Sequence, residues 1–298
     1  MQTLITKPTA EYELLDSGEG EKLERYDAVI LVRPDPQALW ARSLSRDVWS
    51  NAHAVFVHEG SRGKWNIKKS ATEHIQEKWQ VQLSGVICTL KLSPFKHVGI
   101  FPEQSVHWTW LSEIITKHLQ EGRKKISVLN LFGYTGGASI AAALAGATVT
   151  HVDASESTVA WSKLNRAASG LPDDAIRFIV DDARKFVERE IRRGNTYDII
   201  ILDPPIYGRG AKNELWKIED DLVPLLSKIK KLLSSEPIAV LLNGYAAGYS
   251  HVAYAQTLAS VTDKLGGTLT SGELMIEESS PSARLLPCGI FAKWVSIA

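Results

Sequence analysis

Cysteine is scarce in this 298-residue chain, and its two thiols, Cys88 and Cys288, have neither metal-ligand spacing nor the pattern of a disulfide framework. That excludes a disulfide-stapled secreted module and fits a reducing, cytoplasmic setting. No apolar run approaches the 18 residues a membrane-spanning helix needs, and the first residues lack the apolar core of a signal peptide. Internal repeats, low-complexity tracts and metal-binding clusters are also missing. So is any excess of charge: Lys+Arg and Asp+Glu are both 34. A chain built to hold nucleic acid by a dominant positive field is therefore not expected. What remains is ample apolar material, 44% of the residues, for one large domain and a smaller one.

The chain divides near residue 105. Before it, short apolar runs at 28–32, 54–58, 81–83 and 86–92 alternate with turn signals, and 37–44 reads as a short helix. This predicts a small α+β domain over 1–104, mostly antiparallel. Between residues 60 and 100 it carries seven basic residues (Arg62, Lys64, Lys68, Lys69, Lys78, Lys91, Lys96) against two acids, Glu73 and Glu77. Trp65, Trp79 and Phe95 are interspersed. Such a strip suits single-stranded nucleic acid; the alternative is a solvated hairpin whose rings face a core. After residue 105 strands and helices alternate, the signature of a parallel sheet. Helices are predicted at 105–120, 138–144, 157–168, 183–193, 215–233 and 251–265. Strands are predicted at 126–131, 147–153, 176–180, 197–202, 238–243, 268–277 and 285–295.

Chemistry gathers at the carboxyl ends of four strands, where open α/β sheets bind ligands. The first is followed by Phe132-Gly133-Tyr134-Thr135-Gly136-Gly137. Glycines there let backbone approach a ligand or take positive φ, and the helix behind offers N–H groups. The spacing is not the Gly-x-Gly-x-x-Gly of a dinucleotide fold, which counts against a dehydrogenase. The second strand ends in Asp153-Ala154-Ser155, an acid placed to suit ribose hydroxyls, with Asp153 or Ser155 free to cap the next helix. The third ends in Asp181-Asp182-Ala183, either acid being able to read an adenine amino group. The fourth runs into Asp203-Pro204-Pro205-Ile206-Tyr207. Prolines stop a strand abruptly, leaving a rigid lip of an acid, carbonyls and a ring able to grip a flat molecule with N–H groups.

These motifs together resemble the class I S-adenosylmethionine-dependent methyltransferases, and among them the bacterial ribosomal RNA group with Asn-Leu-Phe-x-Tyr-Thr-Gly-Gly, Val-Asp-x-Ser, Asp-Asp-Ala and Asp-Pro-Pro-x-Phe/Tyr. The resemblance implies a Rossmann-like sheet of seven strands, the last antiparallel, over 105–298, with S-adenosylmethionine as cofactor and RNA as substrate. It implies cofactor contacts at Phe132, Gly133, Tyr134, Thr135, Gly136, Asp153, Ala154, Ser155, Asp182, Ala183 and Asp203. Asp203, Pro204, Pro205 and Tyr207 would be catalytic, with Tyr207 stacking on the target base. Residues 98–104 are similar to the family's Gly-x-Phe-x-Asp-Gln, so Gln104 would lie over the cofactor; Glu103 replaces the Asp, and Ser105 stands where an Arg often follows. Residues 208–212 read as a mobile basic loop. Nitrogen is favoured over cytosine carbon-5 as the methylated atom, since carbon-5 needs a thiolate; Cys288 is the only thiol of this domain. Protein or small-molecule methylation, and a non-catalytic RNA-binding role, are the alternatives.

Overall fold

The computed structural model describes residues 1–59, 62–71, 75, 78–94, 96–210, 213–245 and 248–297. It divides into two compact units. One comprises Ile5–Ser105 with Met275–Cys288; the other comprises Met1–Leu4, Val106–Leu274 and Gly289–Ala298.

After β1 (Gln2–Thr6), the amino-terminal unit contains β2 (Tyr12–Gly18), β3 (Glu21–Tyr26), β4 (Val29–Pro34), α1 (Arg46–Ser50), β5 (Ala54–Glu59), β6 (Arg62–Ile67), β7 (Trp79–Leu83) and β8 (Val86–Leu90). Strands β2-β3-β4-β5-β6 form one sheet in that order, and β7-β8 a separate hairpin. The interior is unusually charged. Glu24 is fully buried and accepts hydrogen bonds from Arg33 Nε (2.7 Å) and from the hydroxyls of Tyr12 and Tyr26 (both 3.0 Å). A buried charge persists only when paired and hydrogen-bonded in this way.

Two expectations for this unit need correction. Residues 37–44 are not helical; the helix is α1. The N–H groups of Ser43 (3.1 Å) and Leu44 (2.9 Å) turn instead to the buried Asp16 carboxylate, which also accepts from Trp49 Nε1 at 2.8 Å. The basic strip is not a continuous stacking surface. Trp79 is 9% exposed and belongs to the core, Trp65 donates to the Ser93 carbonyl, and Lys96 folds back towards that of Pro34. Phe95, Glu73 and Glu77 lie outside the described residues.

The carboxyl-terminal unit begins with α2 (Ser105–Gln120) and continues with β9 (Ser127–Leu131), α3 (Gly137–Leu144), β10 (Thr148–Asp153), α4 (Glu156–Ala168), β11 (Ile176–Val180), α5 (Ala183–Arg193), β12 (Ile199–Leu202), β13 (Tyr207–Arg209), β14 (Leu215–Lys217), α6 (Ile218–Ile229), β15 (Ala239–Tyr245), α7 (His251–Thr262), β16 (Thr268–Glu277) and β17 (Leu285–Val295). Among the described residues the sheet order is β1-β16-β17-β15-β12-β9-β10-β11. The seven expected strands are joined at one edge by β1. Strands β11, β10, β9, β12 and β15 are parallel, and β17 is antiparallel to β15. All four residues of β12 are buried, which is why it reads as an uninterrupted apolar run.

The expected helix at 215–233 starts later. Residues 215–217 are strand β14, paired with β13, and Asp221 Oδ2 accepts the Lys217 N–H at 2.9 Å where the helix starts. Residues 207–209 are likewise strand, not loop; Ala211 and Lys212 lie outside the described residues. Among the described residues, no helix is long and apolar enough to cross a membrane.

Candidate functional site

The parallel core reverses direction between β9 and β12: the chain steps from β9 through β10 to β11 on one side, then from β12 to β15 on the other. Such a reversal opens a crevice at the carboxyl ends of the strands. Register fixes what lines it. Leu131 pairs with Val152 and Leu202, Asp153 with Val180, and Leu202 with Leu242. The residues next along, Asp153, Phe132, Asp203 and Asn243, therefore form one row across β10, β9, β12 and β15.

Backbone geometry in the glycine turn is strained. Phe132 (φ 58°) and Tyr134 (φ 50°), not Gly133, hold left-handed conformations, and Gly136 has φ 91°. Bulky residues adopt this region only when surroundings force them to, and such strain clusters at ligand sites. Three bonds fix the turn: Gly133 N–H to the Val152 carbonyl (3.0 Å), Tyr134 N–H to Asp153 Oδ2 (3.0 Å), and Gly136 N–H to the Gly133 carbonyl (3.0 Å).

The glycines themselves answer to the protein interior. A β-carbon on Gly133 would lie 2.4 Å from His151 Cε1, and one on Gly137 would lie 2.1 Å from Trp108 Cζ2 of α2. Beneath the turn, Asn130 Nδ2 donates to Ser139 Oγ (2.9 Å), which contacts His151 Nδ1 (2.9 Å). Asn165 Nδ2 holds the Thr135 carbonyl at 2.9 Å. All four of these polar side chains are buried. Helix α3 follows Gly136 as its N-cap, with no side-chain cap for the N–H groups of its first turn.

The acids divide their work. Ser155 caps α4 by accepting the Thr158 N–H, so Asp153 is not the cap; its Oδ1 accepts the Ser155 N–H at 2.9 Å. Burial pushes the Asp153 carboxyl up, against the pull of the Ser155 and Tyr134 N–H groups. A carboxylate has about four lone-pair directions, which leaves two for a ligand. Asp182 is 5% exposed and caps α5: Oδ1 takes the Arg184 N–H (2.9 Å) and Oδ2 takes Arg184 Nη2 (2.8 Å). Burial opposes its charge, but Arg184 and the capping N–H groups together hold its carboxyl below the usual range. Asp181 pairs with Arg189. Ala154 follows Asp153 directly, and Ala183 is the first residue of α5.

At the fourth strand end the Asp203 N–H reaches the Leu131 carbonyl at 3.4 Å. The lip is less open than its sequence implies. Trp216 Nε1 occupies the Pro205 carbonyl (2.6 Å), and the Ile218 N–H occupies that of Ile206 (3.0 Å). Trp216 is 3% exposed, and its ring lies 4.9 Å from that of Phe132. The β13–β14 hairpin is thus pinned to both the lip and the glycine turn. Tyr207, at its start, is 56% exposed. Tyr254 is buried, its hydroxyl pushed up by burial and by the Asp203 charge.

Phe132, Gly133, Tyr134, Thr135, Gly136, Asp153, Ala154, Ser155, Asp182, Ala183, Asp203, Pro204, Pro205 and Tyr207 all lie in the carboxyl-terminal unit, whereas Gln104 ends a 3-10 turn (Pro102–Gln104) of the other. Sequence reading did not single out His151, Asn130, Trp216 or Asn243. Of these, Asn130 stands first in the Asn-Leu-Phe-x-Tyr-Thr-Gly-Gly motif without having been given a role, and Asn243 is an amide closing an apolar run. Both thiols are buried and held in the protonated form: burial pushes Cys88 up to about 12, and Cys288 is pushed up by burial and by Glu103.

A family model described as S-adenosylmethionine-dependent methyltransferase matches residues 39–249. A crystal structure of a SAM-dependent methyltransferase from Agrobacterium tumefaciens superposes with a TM-score of 0.93 at 39% identity, covering 100% of this chain and 94% of that one. A crystal structure of a methyltransferase complexed with SAH shares the fold at 20% identity, with a TM-score of 0.67 and coverage of 96% and 75%. A ribosomal RNA large subunit methyltransferase K/L from Shewanella pealeana is 35% identical over 147 residues, 49% of this chain. This chain spans 19% of that relative's length.

Proposed function

Because the chain belongs to the S-adenosylmethionine-dependent methyltransferases, we propose that it methylates a base of RNA, ribosomal RNA in particular, in the cytoplasm. The observation carrying this reading is the row Asp153, Phe132, Asp203 and Asn243 at the strand reversal, with a strained turn on one side and an Asp-Pro-Pro lip on the other. RNA as substrate rests on the similarity to ribosomal RNA methyltransferases over half the chain.

The residues present fit the cofactor. Asp153 retains acceptor capacity for a ribose diol, the uncapped start of α3 suits a carboxylate, and the Phe132–Gly136 backbone closes the pocket floor. Asp182, with Ala183 behind it, can offer its remaining Oδ2 lone pair to an adenine amino group. Ala154 and Ser155 border the ribose position, and Gln104 is assigned to the cofactor by its motif alone. The amino-terminal unit is assigned to substrate binding.

S-adenosylmethionine, when bound, supplies a methyl group already activated by the sulfonium, so the protein's task is alignment and water exclusion. With the Pro205 and Ile206 carbonyls occupied, Asp203 and the Pro204 carbonyl are the acceptors that orient an amino or ring N–H and balance its developing positive charge. Pro205 keeps the lip rigid, and Tyr207 offers a ring on which a base can stack. Two buried, proton-retaining thiols favour nitrogen over cytosine carbon-5, which requires a thiolate.

Asp203→Ala tests the assignment. Calorimetric titration with S-adenosylhomocysteine should give wild-type affinity, while methyl transfer to total RNA from cells lacking the gene falls roughly 100-fold or more. Unchanged turnover would refute the role of the lip. Transfer to protein but not RNA would move the substrate class.

A further inference from the structure

Beyond the pocket, the β13–β14 hairpin has two unlike faces. Its pairs are Tyr207 with Lys217, Gly208 with Trp216 and Arg209 with Leu215. Trp216 points inward, buried and tied to Pro205. Side chains alternate along a strand, so Tyr207, Arg209, Leu215 and Lys217 share the opposite face. All four are exposed, Tyr207 by 56% and Leu215 by 43%. Two of the nearby acids are paired, Glu214 with Lys185 and Asp221 with Arg184, while Glu219 and Asp220 open α6 just past Lys217. Arg184 also donates to the Leu215 carbonyl at 3.0 Å, fixing the outer strand. Arg209 contacts Asn213 Oδ1 (2.9 Å), a neutral acceptor that leaves its charge intact.

The geometry points to this face as a platform for the single-stranded RNA flanking the target nucleotide: a ring for stacking beside Leu215, with Arg209 and Lys217 meeting backbone phosphates. An aromatic ring, an apolar neighbour and two exposed cations on a two-stranded ribbon are what sequence-tolerant binding of single strands requires. The platform starts two residues beyond the Asp-Pro-Pro lip, so a strand held here continues into the pocket. This inference rests on RNA being the substrate, and it assigns single-strand binding to the hairpin that begins at Tyr207.

The test uses the full chain and a fluorescein-labelled single-stranded oligoribonucleotide. Arg209→Glu with Lys217→Glu should weaken oligonucleotide binding at least tenfold. It should also make the slope of log K against log salt shallower by about 1.4, two contacts at roughly 0.7 each. KM for RNA should rise, with kcat and S-adenosylhomocysteine affinity little changed. Tyr207→Ala should cost roughly five- to 150-fold in binding, the range for one stacked base, while Tyr207→Phe keeps its affinity. Wild-type affinity and salt slope in the double variant, or no oligonucleotide binding by the wild type, would overturn the platform. Oligonucleotide binding lost in the double variant, with no methyl transfer from the wild type to any RNA, would sustain the platform and sink the substrate reading above.

Discussion

Gly133 is small because of His151. Its backbone takes an ordinary conformation, so alanine would meet no φ penalty there; the obstacle is the buried imidazole 2.4 Å from the added carbon. Gly133→Ala should therefore destabilise the protein by about 1–3 kcal/mol, the usual cost of overpacking, and weaken S-adenosylhomocysteine binding through the displaced turn. In a His151→Ala background the same substitution should cost almost nothing, a non-additivity expected of direct neighbours. Denaturant midpoints of the four proteins decide it; equal costs in both backgrounds would show that His151 is not the constraint. The positive φ values at Phe132 and Tyr134 were similarly hidden, because sequence marks glycines and not the residues that endure strain.

Elements differ in how openly their residues announce them. Strand β11 and the last two strands, β16 and β17, read correctly to the residue: β17 is largely apolar and buried, the second half of β16 alternates buried with half-buried positions, and β11 is short with turn signals on both sides. Strands β2 and β3 escaped notice because Asp16, Ser17 and Glu24 occupy buried positions and break the apolar pattern; their ion pairs and hydrogen bonds form only in the fold. The β13–β14 hairpin was invisible for another reason: three residues per strand carry no period, and a single tryptophan supplies the anchor. Trp216→Ala should lower stability by about 3–5 kcal/mol and reduce kcat more than cofactor affinity, since the lip loses its support. Trp216→Phe keeps the tilted ring contact with Phe132 and forfeits the bond to Pro205, which costs about 1 kcal/mol. Paired thermal melts and turnover numbers test this; equal losses in the two variants would deny the hydrogen bond a separate role. The motifs were legible as strand ends, but the row they form depends on register, which no single motif encodes.

For the whole molecule, acid should act earlier than carboxylate chemistry alone dictates. Burial lowers His151 to about 3; burial and the Lys293 charge lower His107 to about 3 as well. A histidine held neutral in the fold binds its proton only on unfolding, so its contribution is complete above the ordinary value of 6.5 and is lost as pH falls towards 3. Each group removes roughly 1.4 kcal/mol per pH unit across that window. Urea midpoints should therefore fall steadily from pH 6.5 to 5, where the depressed carboxyls Asp16, Asp182 and Glu190 remain charged. A flat profile over that interval would contradict the buried, neutral histidines.

The amino-terminal unit is completed by Met275–Cys288, which arrive 170 residues after Ser105. Arg284 from that segment bonds the buried Asp16 at 2.7 Å, and Glu278 accepts the Ser17 hydroxyl at 2.5 Å. On the ribosome, at about 5–20 residues per second, those partners emerge roughly 13 to 50 seconds after the strand that needs them. The first part of the chain to be synthesised is thus among the last to be finished. Until then Asp16 has the Ser43, Leu44 and Trp49 donors but lacks its ion-pair partner Arg284, so the buried charge of this unit is balanced only once the final hairpin is made.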